Sequence, residues 1–203
     1  MTDPSTRGRR ARQAGHRWNN EALNDLSEAT GLFLKRQLRE VREGNIGDGE
    51  VDPRLPILLE TKNEKRTSPW RPHAQAREAV GAFRGEAHPR GLIPVAALRR
   101  SRGRGRPALR VAVVDFDDLR EMVELHNAHA DTKIAAYTAI REGARPRWID
   151  ALEEAEGRAQ ASGASLETLA FGTVRRPDHP DLAVLRWDSF VELVGRLTTQ
   201  QIW

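Results

Sequence analysis

The sequence predicts an α/β fold, a mixed central sheet flanked by helices. Three observations carry the prediction. The continuous apolar run Ile57-Leu58-Leu59 suits a strand buried on both faces. Two more apolar runs, Gly91 to Leu98 and Leu109 to Val114, are joined by a Gly- and Arg-rich connection. Before and after these strands, apolar residues recur every three or four positions, beginning with Trp18, Ala22, Leu26 and Ala29.

Residues 1 to 12 contain Pro, Ser, Thr, Gly and Arg with almost nothing apolar, and read as a disordered basic tail. The first helix starts near Trp18 and stops after Thr30, because Gly31 follows. Leu32 to Val41 reads as a strand, straight or bent, and Gly44, Gly47 and Gly49 form a flexible turn. The run at Ile57 ends in Glu60-Thr61-Lys62-Asn63. Pro69 and Trp70 open a second helix that runs to about Phe83. After the two strands and the hairpin Arg99 to Arg106, a third helix covers Asp117 to Leu125, N-capped by Asp115 or Asp117. Ala128 to Arg141 reads as helical.

The last part of the chain echoes the middle. Val113-Val114-Asp115-Phe116-Asp117-Asp118-Leu119 is matched by Val184-Leu185-Arg186-Trp187-Asp188-Ser189-Phe190. Leu98-Arg99-Arg100 is matched by Val174-Arg175-Arg176, and Trp70 with its helix by Trp148 with Ala151 to Ala161. Both segments read helix, strand, Arg-Arg hairpin, strand, short helix, which points to a duplicated αββα half-domain at the C-terminus. Leu169, Phe171 and Val174, then Leu182, Val184 and Leu185, supply its paired strands. The organisation expected is a tail (1–12), a core (13–126), and an extension with the repeat (127–203). The second copy has no Glu-x-Lys strand of its own, so its role is structural.

The 203 residues suffice for one domain, or a domain with an extension, and for a real core. There is no Cys, which excludes disulfides and thiolate zinc sites. No run approaches the roughly 20 apolar residues of a membrane span, and Met1 to Arg12 lacks a signal-like apolar segment. The expectation is a soluble cytoplasmic protein with no membrane partner. Net charge is only +4, from 33 basic and 29 acidic residues. The arginines are nevertheless clustered: Arg7, Arg9, Arg10, Arg12 and Arg17, then Arg99, Arg100, Arg102, Arg104, Arg106 and Arg110. Arg pairs bidentately with phosphate, so the clusters point to a polyanion, with Arg10, Arg12, Arg17, Arg99, Arg100, Arg102 and Arg104 as its contacts.

Glu60 and Lys62 lie two apart on a strand and therefore project to one face, with Thr61 on the other. A carboxylate beside an ammonium at the end of a buried strand suits a hydrolytic metal site. Carboxylate oxygens hold Mg²⁺, the ion activates water, and Lys stabilises developing charge. The second carboxylate would come from Asp48, Glu50 or Asp52, just upstream.

Jointly, these features resemble the PD-(D/E)xK nucleases, and within them the Holliday-junction-resolvase-like endonucleases of phages and archaea. The resemblance is carried by Gly15-His16-Arg17-Trp18, Gly44-Asn45, Gly49-Glu50-Val51, Leu55 to Asn63, Trp70 and the strand from Ile93 to Arg100. It implies a restriction-endonuclease-like fold and an endonuclease that uses Mg²⁺ (or Mn²⁺) on branched or duplex DNA, usually as a homodimer. Glu50, Glu60 and Lys62 would be catalytic, with Glu50, Glu60 and Asp48 as metal ligands. Two departures stand out. Glu50 replaces the family's usual Asp, and Asn19 stands where a first-helix Glu is usual. Glu21 does not replace that Glu, since two residues turn a helix by about 200°.

Other signals read more plainly. His126, His129 and Asp131 suit a solvated helix end. Gly103 to Arg106 suits a flexible hairpin touching phosphates. Trp70, Trp148 and Trp187 suit core anchors, and Trp203 a docking anchor or a disordered end. Two alternatives to a structure-selective nuclease are a restriction-like or nicking nuclease and an inactive DNA-binding protein with the same fold.

Overall fold

A computed structural model describes residues 4–35, 52–63, 68–103, 105–163 and 168–203. In chain order the elements are α1 (Pro4–Thr30), β1 (Ile57–Asn63), α2 (Trp70–Ala82), β2 (Ile93–Arg100), β3 (Leu109–Asp115), α3 (Phe116–His129), β4 (Ala135–Glu142), α4 (Trp148–Ala161), β5 (Thr168–Arg175), β6 (Leu182–Arg186) and α5 (Trp187–Thr199). The fold is α/β, with a mixed sheet whose described strands number six, in the order β1-β2-β3-β6-β5-β4.

The sheet reads the same from either edge. β1 and β2 are parallel, and so are β4 and β5. The pairs β2–β3, β3–β6 and β6–β5 are antiparallel. Each half runs strand, helix, strand, strand, helix. The registers agree as well. Lys62 pairs with Leu98 and Leu98 with Val111, while Arg141 pairs with Val174 and Val174 with Leu182. Val113 and Val184 occupy matching positions in the two halves and pair with each other at the centre.

Strand alternation divides the core. Ile57, Leu59, Val95, Ala97, Ala112, Val114, Ala183 and Leu185 pack with α1, α3 and α5. Ala96, Leu98, Val111, Val113, Val174, Leu182 and Val184 pack with Trp70 of α2 and with Trp148, Ala151 and Leu152 of α4. Trp18 is fully buried and its Nε1–H donates to the Ala97 carbonyl at 3.0 Å. Trp70, Trp148 and Trp187 are buried anchors as expected. Trp203 packs against the core, and its Nε1–H donates to Thr198 Oγ1.

Several expectations change. α1 begins at Pro4, so helix extends through most of the segment expected to be a disordered tail. Residues 32–35 carry no regular structure, and the rest of the strand and turn expected there lies outside the described residues. Ala128 to Arg141 is not one helix. α3 ends at His129 and β4 follows. Three alanines raise helix propensity in β4, but full-length parallel pairing with β5 decides its conformation. Residues 127–203 thus supply half of the sheet. His126 is 1% exposed rather than solvated, because the longer α3 turns it inward with Leu119, Met122 and Val123. Asp115 takes the N-cap position of α3 without a side-chain capping bond.

Candidate active site

The ends of β1 and β2 position the predicted site. Thr61 faces α1, where Asn19 Nδ2 donates to Thr61 Oγ1 at 3.3 Å. Asn63 Nδ2 donates to the Ala14 carbonyl at 3.0 Å, which ties the strand end to the same helix. Glu60 and Lys62 face the other way and form an ion pair with each other. Their side chains are 13% and 27% exposed, so the pair sits in a partly desolvated position that solvent still reaches.

The second half provides a comparison. By register, Ala139 corresponds to Glu60 and Arg141 to Lys62, since Ala96 and Gly172, and Leu98 and Val174, are their matching partners. Arg141 is engaged by Glu154 of α4. That contact holds the Glu154 carboxyl below its usual pKa, with Arg158 adding to the effect. The matching position in the second half therefore carries a cation and no strand carboxylate.

Of the acids expected to join Glu60, Asp48 and Glu50 lie outside the described residues. Asp52 is committed locally. Its Oδ1 accepts from Arg54 N and Nε, and its Oδ2 from Arg54 Nη2 at 2.7 Å. The Arg54 bond holds the Asp52 carboxyl below its usual pKa. Among the described residues no group of three Asp, Glu or His side chains could hold a metal ion. Glu60 is a hard oxygen donor of the kind Mg²⁺ or Mn²⁺ prefers, so the donor chemistry present fits such an ion.

The predicted arginines divide between two faces. Arg99 faces α1, pairs with Glu21 at 2.9 Å and lies over Trp18. Arg110 joins it there, paired with Asp25 and Asp188. Arg100 faces the opposite side, its guanidinium 6.0 Å from the Trp148 ring centre. Arg102 pairs with Glu153 at 3.3 Å. Arg12 and Arg17 are exposed on α1, Arg10 belongs to the same helix, and Arg104 lies outside the described residues.

Sequence reasoning missed a partly buried cluster at the start of α3, acids gathered beside the buried His73. His73 Nε2 lies 3.7 Å from Asp115 Oδ2, and burial lowers the His73 pKa. Asp118 is raised to about 6, first by burial and then by Asp115, Glu121 and Asp117. The acidic run at 115–118 is visible in the sequence, but it reads as helix capping until His73 is seen beside it.

No family model, curated protein or solved structure matches this chain. Its function must be argued from the site itself.

Proposed function

We propose that the chain is a Mg²⁺- or Mn²⁺-dependent DNA endonuclease of the PD-(D/E)xK type, acting on branched or duplex DNA as a homodimer. In this reading the fold is restriction-endonuclease-like and its halves arose by duplication. One comparison carries the proposal. The second half builds the same strand-helix-strand unit with Ala139 where the first has Glu60. The fold therefore does not require an acid at that position, and a half-buried carboxylate there calls for a chemical reason.

Glu60 would hold the ion together with Glu50 or Asp48. When bound there, such an ion would supply an activated water and neutralise phosphate charge. Lys62, on the same face and paired with Glu60 here, would turn its ammonium toward the negative charge that develops on the phosphate. Among the described residues no helix is long and apolar enough to cross a membrane.

The test compares cleavage of four-way junction, duplex and single-stranded DNA with Mg²⁺ and with chelator. Glu60→Gln and Lys62→Ala should each abolish cleavage and keep DNA binding. Glu50→Gln should be more damaging than Asp48→Asn. Parental cleavage by Glu60→Gln would sink the assignment. A second reading, an inactive DNA-binding protein, draws on Asn19, which contacts Thr61 on the face opposite Glu60. It expects no cleavage of any substrate and full binding by Glu60→Gln.

A further inference from the structure

On the α2 and α4 side of the sheet lies an open groove of about 440 Å³, at the rim of the core that Trp70 and Trp148 anchor. Both halves build it. Trp70 begins α2 and Trp148 begins α4, so two helix N-termini border it with their unsatisfied backbone N–H groups. Arg100 ends β2, Arg176 follows β5, and Arg145 precedes α4; all three line the groove, and among the described residues no acidic one does.

These three arginines differ from their neighbours. Arg99, Arg102, Arg141, Arg175 and Arg186 are each engaged by a carboxylate. Among the described residues none of Arg100, Arg145 and Arg176 has a carboxylate within 4.0 Å. Three uncompensated cations around one concavity repel one another unless an anion joins them. Arg100 is also held in place, layered over Trp148.

The groove and the Glu60–Lys62 pair share a face. Lys62 pairs with Leu98, and Arg100 lies two residues farther along β2, about 7 Å on by strand geometry. Trp70 and Trp148 are only 7% and 6% exposed, and Arg100 lies over the Trp148 ring, so little ring surface is left for stacking on bases. The accessible chemistry is guanidinium and backbone N–H, which recognises phosphate without reading sequence.

We propose that this groove binds the phosphodiester backbone of a DNA strand, and that residues 127–203, through Arg145 and Arg176, supply half of the substrate-binding surface. The choice of DNA as the polyanion rests on the nuclease reading above, while the anion site itself rests on the groove alone.

The test measures binding of short labelled single-stranded and duplex oligonucleotides to the full chain in chelator, over a salt series. Arg145→Ala and Arg176→Ala should each weaken binding roughly 3- to 10-fold and flatten the log–log salt dependence by about one unit. Arg145 and Arg176 are exposed and in loops, so both variants should fold. Arg120→Ala serves as the control, since Arg120 is an exposed α3 arginine already engaged by Asp117 and Glu124. It should bind like the parent. Inorganic phosphate and a free mononucleotide should compete only at far higher concentration than an oligonucleotide. Parental affinity and salt slope in the Arg145→Ala/Arg176→Ala double variant would overturn the proposal. So would an equal loss in Arg120→Ala, or a mononucleotide that competes as well as an oligonucleotide. The two readings fail separately. A chain that binds through this groove but never cleaves ends the nuclease reading alone. Metal-dependent cleavage with unaltered binding by the double variant ends the groove proposal alone.

Discussion

Arg99 and Arg100 are adjacent in sequence and serve opposite faces of the sheet, one paired with Glu21 beside Trp18, the other laid over Trp148. Their shared Arg-Arg motif suggests a single DNA-binding patch. In the structure Arg99 joins β2 to α1. We expect Arg99→Ala to lower stability by about 1 kcal/mol, from a partly exposed ion pair and a cation–π contact. Its DNA affinity should stay near the parent's. Urea denaturation and a binding titration check both halves of this expectation, and an affinity loss as large as that of Arg145→Ala would show that Arg99 faces DNA.

The approach of α4 to β5 depends on a missing side chain. A Cβ on Gly172 would sit 2.6 Å from the Leu152 nitrogen and 2.7 Å from the Ala151 carbonyl carbon. Backbone cannot swing aside as a side chain can. Gly172→Ala should therefore cost about 3 kcal/mol. Gly157, inside α4, has open space within 4 Å of where a methyl group would stand, and Gly157→Ala should gain roughly 0.5–1 kcal/mol. Opposite shifts in the urea midpoint are the readout, and a neutral Gly172→Ala would mean that the helix sits farther from the sheet.

Asp118 gives the fold a pH dependence with a definite sign. Its pKa is about 6 when folded, against 3.8 ordinarily, so the folded state holds its proton more tightly. Its contribution is most favourable below pH 4 and declines as pH rises through 6. Asp118→Asn should remove that decline and be more stable than the parent at pH 7. Solvent screening at this partly exposed carboxyl leaves an effect on the order of 1 kcal/mol. Thermal melts of both proteins from pH 4 to pH 7.5 should diverge as pH rises. Parallel curves would place Asp118 in water.

The two halves should not survive separation. β6 covers one side of β3 along Val111 to Asp115, and α5 covers α1. A chain ending near Leu125 loses both and bares an apolar strand edge. We expect aggregation and no cooperative unfolding transition. A soluble, cooperatively melting product would show that the first half folds alone.

Much of this is legible in the sequence because it is local. Gly31 stops α1 with a φ of +70°, a conformation that its lack of a side chain announces. The alternation that sets Glu60 and Lys62 against Thr61 needs only a strand. The echo of Trp70 in Trp148 and of Val113 in Val184 foretells matching halves. What stays hidden depends on distant partners. β4 is a strand because β5 lies beside it, and its alanines favour helix. Arg99 and Arg100 can be told apart only once Glu21 and Trp148 are in place. The groove joins Arg100 to Arg145 and Arg176, residues that no spacing rule connects.

Trp18 meets Trp187 edge to face, ring centres 5.7 Å apart, and Gly195 lets α5 approach the Ala29 carbonyl of α1. During synthesis α1 thus emerges before every other element described, yet is among the last to be completed. Its apolar stripe can meet β1 and β2 earlier, through Trp18 and the Ala97 carbonyl, but must wait for α5 before it is fully covered. At about 5–20 residues per second that wait is on the order of ten seconds. During that interval Trp18 and Ala29 lack their α5 partners, and only the arrival of α5 outside the ribosome allows the core to close.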